Sequence, residues 1–458
     1  MMNSKKIFFY TALVLLSSLG TYAQKRMTKE SKPNIIVIIA DDMGWNDVGY
    51  NGSEIKTPTI DNLAKNGVQL NRFYVSPTCS PTRAALLTGR PASRMGILSP
   101  ISDKSELKLP DSIPTLPQLL KKSGYETALI GKWHLGLQLS SSPKAYGFDY
   151  SYGFLHGQID QYTHLYKNGD QSWYRNGKFI EEKGHTTDLV TQESIKWLSE
   201  IRNKKENFYL QVAYSAPHFP LQEEEKWKIP YNKIAKDSSR RDYAAAMAHL
   251  DHSIGVLLKS LKQQKLDENT LIIFMSDNGA MEDWDSRKEY GGIHRSNTTL
   301  GDNTPLRDWK TSNYEGAVRV PCLLYWKGHL KNYKYSDYIS VIDFLPTILG
   351  LAGAEKLPQT VEGQNIWNEI SENKEIKNRP IYIRGHLQAC LIQKPWKLVQ
   401  NLPSKKGIPD YELFNIEKDP EEKNNLVSQN GPIFVKMKQE LDMQINKDPK
   451  MNEKTKSE

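Results

Sequence analysis

Cysteine is scarce: Cys79, Cys322 and Cys390 are the only three in 458 residues. A count that low and odd excludes a dense disulfide framework, and whether Cys322 and Cys390 pair stays open at this level. A long apolar run is missing too. The best candidate, Ile7 to Leu16, is too short to span a bilayer and runs into Ser17, Ser18 and Gly20, so no membrane anchor is expected. With Lys5 and Lys6 before it and Thr21-Tyr22-Ala23 after it, that run reads as a secretory signal over 1–23. Gln24, not a cysteine, stands directly after the cleavage point, which argues against a lipid anchor. No internal repeat is visible. Charge of neither sign dominates strongly, with 61 Lys and Arg against 53 Asp and Glu, net +8. Export argues against nucleic acid as a partner. A basic surface draws polyanions, although a lysine-rich composition without bearing on binding explains the count equally well.

After a polar leader at 24–32, the text from Pro33 alternates strand-like apolar runs with amphipathic helical patterns. That alternation predicts an α/β fold with a parallel or mixed sheet. Asn34 to Ala40 is an unbroken apolar run of the kind buried on both faces, and Thr270 to Met275 is another. Phe208 to Tyr214 and Thr127 to Ile130 are weaker examples. Thr57-Pro58 opens a helix that Gly67 closes. A longer one keeps helical spacing from Tyr243 through Leu261 and ends near Gln264. After Leu349-Gly350 the pieces shorten (Ile381 to Arg384, Cys390 to Gln393, Trp396 to Gln400), which predicts a smaller antiparallel subdomain. The expected division is a catalytic α/β domain at 33–350, a C-terminal subdomain at 351–446 and a frayed tail at 447–458.

Functional groups of open α/β sheets gather beyond the carboxyl ends of strands. The first run delivers Asp41-Asp42-Met43-Gly44, and the run at Thr270 delivers Ser276-Asp277-Asn278-Gly279. Three carboxylates and an amide oxygen make a hard anionic cage that suits Ca²⁺ or Mg²⁺. The two remaining runs lead to Gly131-Lys132-Trp133-His134-Leu135-Gly136 and to Ala216-Pro217-His218-Phe219-Pro220. Each of these groups alone is more often a turn, a cap or a solvated charge.

Cys79-Ser80-Pro81-Thr82-Arg83, running into Leu87-Thr88-Gly89-Arg90, gives them a common purpose. This Cys-x-Pro-x-Arg core resembles the maturation signature of the type I sulfatases. Gly131 to Gly136 and Pro305-Leu306-Arg307-Asp308-Trp309-Lys310 resemble two further elements of that family. The likeness runs from Pro33 to Leu426 in the family's order. Trp45 to Gly49 and Gly147-Phe148-Asp149 look most like the N-acetylgalactosamine-4-sulfatase branch and its bacterial polysaccharide relatives.

The resemblance implies an alkaline phosphatase-like fold: a large, mostly parallel mixed sheet between helices, with a small C-terminal antiparallel sheet. It implies that a separate maturating enzyme oxidises Cys79 to formylglycine (3-oxoalanine), whose hydrate attacks sulfur and later expels sulfate. It implies one Ca²⁺ held by Asp41, Asp42, Asp277, Asn278 and an oxygen of the modified residue 79. Lys132 and Lys310 would neutralise the sulfate oxygens, Arg83 would hold the hydrated aldehyde, His134 would act as base, and His218 would be the acid for the departing alcohol. Ser80 and Pro81 read as a helix cap and first turn, aiming the positive end of a helix at residue 79. The substrate class implied is a sulfated polysaccharide, algal (ulvan or carrageenan) or a glycosaminoglycan. The lysine- and asparagine-rich text suits a Bacteroidetes-type bacterium, which would place the enzyme in the periplasm or outside the cell. A phosphonate or phosphodiester hydrolase of the same superfamily, or an inactive glycan-binding homologue, are the alternatives.

Ala317 stands where the family usually has a second glycine, and Asp308-Trp309 are bulkier than usual before Lys310. Both departures bear on substrate choice. Tyr162, His164, Tyr166, Trp173 and Tyr174, with Arg175 and Lys178, read either as a sugar-facing wall or as a partly buried hairpin. Met281 to Asn303 is a long polar stretch favoured as a substrate-reading lid. His249 and His252 read as structural or exposed.

Overall fold

The computed structural model describes residues 32–103, 105–233, 237–354, 356–377, 379–402 and 409–450. The expected signal, most of the leader and the end of the tail lie outside them. Among these described residues, ten strands form the main sheet, in the spatial order 333–335, 68–70, 322–325, 270–276, 34–40, 207–213, 125–132, 150–154, 173–175 and 178–179. Asn34–Ala40 sits in the middle, parallel to both neighbours. The outer pairs at 322–325 and 173–175 turn antiparallel.

Strand periodicity explains the layers. Ile35, Val37 and Ile39 point into one apolar core, whereas Ile36, Ile38 and Ala40 point into another. Both faces are therefore covered. The first core takes Ala84 to Leu87 of the helix Cys79–Thr88 and Phe344, Leu345 and Ile348 of the helix Phe344–Leu351. The second takes Ile60 and Leu63 of Pro58–Asn66 and the stripe Tyr243, Met247, Leu250, Ile254, Leu257 of Ser238–Gln263. That long helix starts five residues before its apolar stripe, because the Asp237 side chain caps it by accepting from the Arg240 N–H.

Strands Ile381–Arg384, Gln388–Gln393, Trp396–Asn401 and Asp410–Asn415 form a separate antiparallel sheet. One face (Ile383, Cys390, Val399, Phe414) packs on Tyr74, Tyr314 and Val318, and the other takes Met437 and Leu441 of the helix Gly431–Ile445. A buried ion cluster pins this sheet to the main body. Lys397 Nζ lies 3.0 Å from Glu315 Oε1 and 2.9 Å from Glu422 Oε1. Near the chain end, the Asp448 side chain is shielded between Arg94 at 2.5 Å and Arg384 at 2.8 Å, so the segment expected to fray is held at least that far. Cys322 and Cys390 are both buried free thiols.

Candidate active site

The central parallel strands end level with one another. Ala40 pairs with Ser276, and Ala213 pairs with both Ile39 and Gly131. Asp41 and Asp42, Asp277 and Asn278, His218, and Lys132 with His134 therefore leave the sheet at one edge. Asp42 takes a left-handed backbone (φ 65°), a conformation that costs a side-chain-bearing residue energy. Its carbonyl accepts from the Tyr243 hydroxyl at 3.0 Å, and its N–H donates to Asp277 Oδ1 at 3.3 Å.

Cys79 opens the helix Cys79–Thr88, two residues earlier than the sequence implies: Thr78, not Ser80, is the N-cap. Ser80 is instead used to tie loops together. Its hydroxyl donates to the His134 carbonyl at 2.8 Å and accepts from the Ile101 N–H at 3.1 Å. Cys79 Sγ lies 3.1 Å from His134 Nδ1. Burial pushes the Cys79 thiol up, against the pull of Lys132 and Lys310, so at neutral pH the protonated thiol prevails.

The charges are paired and buried. Lys132 Nζ is 2.5 Å from Asp41 Oδ2, and Lys310 Nζ is 2.7 Å from Asp42 Oδ1. Burial and the neighbouring Asp277 and Asp42 carboxylates push Asp41 up to about 7, in spite of Lys132. Burial also acts on Asp42, but Lys310 and His218 outweigh it and hold that carboxyl low. Arg83, expected to hold the modified residue, spends its guanidinium on Asp277 Oδ2 (2.7 Å) and on the Lys132 carbonyl (2.9 Å). It thereby orients one of the expected metal ligands.

Two oxygens in this cage have no hydrogen-bond partner among the described residues: Asp41 Oδ1 and Asn278 Oδ1, both buried. The other Asp41 oxygen meets Lys132, and the Asn278 amide N–H donates to Asp42 Oδ1 at 2.7 Å. Orphaned acceptors are costly unless a cation fills the gap between them. With the Asp42 and Asp277 carboxylates beside them, they fit a hard divalent ion.

The histidines have defined tautomers. His134 Nε2 donates to the Ile101 carbonyl at 3.0 Å, leaving the Nδ1 lone pair toward residue 79. Burial, with Lys132 and Arg83 beside it, holds His134 well below the usual histidine range. His218 does the reverse: Nδ1 donates to the Phe219 carbonyl at 2.7 Å, and Nε2 stands 3.4 Å from Asp42 Oδ2. Gly157 makes room for His134, because a Cβ there would lie 2.5 Å from His134 Cε1 and 2.7 Å from Nε2. Gly157→Ala should push the ring off the Ile101 carbonyl and lower kcat roughly 10²-fold with the fold intact. Steady-state kinetics beside circular dichroism checks this; an unchanged kcat contradicts it.

A second histidine cluster does not fit a metal. His249 donates from Nδ1 to Glu223 (2.7 Å) and from Nε2 to Asp188 (3.1 Å). Although burial opposes the charge, those bonds push His249 up to about 9. His185 Nδ1 accepts from the Thr187 N–H, so its proton sits on Nε2 and no lone pair is left for a cation. The cluster is a proton-filled clasp on Glu223, five residues beyond His218. The aromatic segment is mainly core: His164, Tyr166, Trp173 and Tyr174 are buried, and only Tyr162 is substantially open, at 40%. Trp173 and Arg175 are spent on Glu182. The hairpin reading is therefore the one the packing bears out.

The sulfatase family profile matches residues 33–354, and that of the N-sulphoglucosamine sulphohydrolase C-terminal region matches 308–449. The chain is 32% identical to arylsulfatase J of Mus musculus over 483 residues, covering 91% of this chain and 76% of that protein. It is 31% identical to N-acetylgalactosamine-6-sulfatase of Homo sapiens, covering 77% and 68%. Among solved structures, Ps i-CgsB in complex with k-i-k-neocarrahexaose superposes with TM-score 0.82 at 33% identity, covering 92% of this chain and 94% of that one. The sulfatase PsFucS1 from Pseudoalteromonas sp. gives TM-score 0.76 at 26% identity, covering 92% of each. A profile spanning most of the chain, on a fold whose central strands converge on Cys79, makes this protein a member of the type I sulfatase family, a sulfuric ester hydrolase.

Proposed function

We propose that the enzyme removes sulfate esters from a sulfated polysaccharide or its oligosaccharides outside the cytoplasm. In this reading a maturating enzyme converts Cys79 to formylglycine, and Asp41, Asp42, Asp277 and Asn278 hold one Ca²⁺. The observation that carries it is the pair of orphaned oxygens, Asp41 Oδ1 and Asn278 Oδ1, set among two buried lysines and two histidines of opposite tautomer. When bound, the ion supplies positive charge against the ester's non-bridging oxygens. The converted residue 79 supplies the nucleophilic hydroxyl.

The chain's own groups do the rest. Lys132 Nζ and Lys310 Nζ add fixed charge that no solvent has to reorganise to provide. His134 Nδ1, 3.1 Å from the residue-79 side chain, accepts a proton there. His218 Nε2 is the donor for the departing sugar oxygen. Burial, Lys310 and Lys132 push His218 down to about 3 against Asp42. An anion among those lysines offsets them, so substrate itself favours the protonated acid. The relatives support a sugar ester: one carries N-acetylgalactosamine in its name and another is complexed with a carrahexaose.

The test is to co-express the protein with a maturating enzyme and incubate it with defined carrageenan, ulvan and glycosaminoglycan oligosaccharides. Mass spectrometry should show loss of one ester position, abolished by EDTA and restored by Ca²⁺. Sulfate release from none of them, or release indifferent to EDTA, would sink the reading.

A further inference from the structure

We infer that Trp284, in the stretch after the Asp277-Asn278 turn, is a positioning residue for His218. This rests on the acid role proposed above for that histidine. His218 Nδ1 donates to the carbonyl of its neighbour Phe219 at 2.7 Å, which fixes the tautomer and turns Nε2 toward Asp42. That carbonyl is only as fixed as residue 219. The Phe219 ring lies stacked on Trp284, with centroids 4.5 Å apart and planes 14° off parallel. Both rings are buried.

Trp284 is held from three sides. Its indole N–H donates to Glu289 Oε2 at 2.9 Å, and Glu289 also accepts from Gln158 at 2.8 Å and Lys167 at 3.0 Å. Its backbone exchanges two 2.8 Å hydrogen bonds with Asn297. His294 and Tyr290 flank the ring. The stretch 281–303 therefore braces the loop after Ala213 through one stacked pair. A displaced Phe219 would free the Nδ1–H of His218 and let the imidazole turn its Nε2 away from Asp42, and the acid would be lost while Lys132, Lys310 and His134 stay in place.

The experiment separates this from general loosening by varying the leaving group. A proton donor matters most when the departing oxygen is basic, and hardly at all for a stabilised phenolate. Matured wild type, His218→Ala, Trp284→Ala, Trp284→Phe and Phe219→Leu are compared on phenyl sulfates running from unsubstituted to nitro-substituted. Trp284→Ala is expected to lose roughly 10²-fold on phenyl sulfate but under about 3-fold on 4-nitrophenyl sulfate. Phe219→Leu, which keeps the carbonyl but not the stack, should tilt the same way. Trp284→Phe should stay near wild type, and Trp284→Ala should add little to His218→Ala. If His218→Ala shows the leaving-group tilt and both Trp284→Ala and Phe219→Leu lose rate evenly, the positioning role is wrong. If His218→Ala itself loses rate evenly, the acid assignment falls and takes this inference with it.

Discussion

Cys79→Ala should remove turnover by roughly four to six orders of magnitude, the scale on which a lost nucleophile is felt. Nothing else in the pocket can substitute. His134 and His218 are placed to move protons, and Lys132 and Lys310 are tied to Asp41 and Asp42. Folding should survive. The substitution removes one sulfur whose hydrogen-bond partner among the described residues is His134 Nδ1, and alanine is a good helix former at the head of Cys79–Thr88. Substrate affinity should largely persist, since Lys132 and Lys310, the charges proposed to meet the sulfate, are untouched. Ion chromatography of released sulfate, with calorimetry on the variant, reads both halves. Turnover comparable to wild type would refute the nucleophile assignment.

The second large effect concerns stability. Lys397→Met should destabilise the protein by about 3–5 kcal/mol, because it leaves two buried carboxylates without their shared cation. Burial acts against Glu315, but Lys397 and Arg319 hold it below its ordinary value of 4.5. Burial and Glu315 push Glu422 up to about 7 despite Lys397. Tyr74, Arg72 and Arg307 also face the cluster. The signs follow from which state binds protons more tightly. The depressed Glu315 contributes stability above its ordinary value that is lost as pH falls. The raised Glu422 imposes a penalty that grows as pH rises from 4.5 through about 7. Without Lys397 both carboxyls rise, so the deficit of the variant should widen with pH. Urea unfolding near pH 5 and near pH 8 should show the larger gap at the higher pH. An equal gap at both would contradict this account, and adding Glu422→Gln should recover part of the loss.

What could be read from the chain, and what could not, divides by sequence distance. Asn34–Ala40 was legible to the residue, because a central strand buried on both faces must be an uninterrupted apolar run. The groups just after such runs were legible for the same reason. The strand Asp410–Asn415 and the helix Gly431–Ile445 were not. The strand is half exposed, and the helix buries only Met437 and Leu441, too thin a stripe to show. Glu315, Lys397 and Glu422 each look like ordinary surface charges, and only the fold brings them together. Ser80 misled in another way. A serine before proline resembles a cap, yet the turn before it let Thr78 take that place. Nothing in Trp284 marks it beyond being a tryptophan in a polar stretch.

The whole helix Cys79–Thr88 is inaccessible, and Cys79 itself is 2% exposed. On the proposed chemistry, an oxidising enzyme that must grip the residues around that thiol can do so only while they are still unfolded. Modification and folding would then compete on a clock, and a molecule that folds first would keep its thiol. Yield of active protein should then track the ratio of maturating enzyme to nascent chain, and slowing the chain's collapse should raise it without any change in sequence.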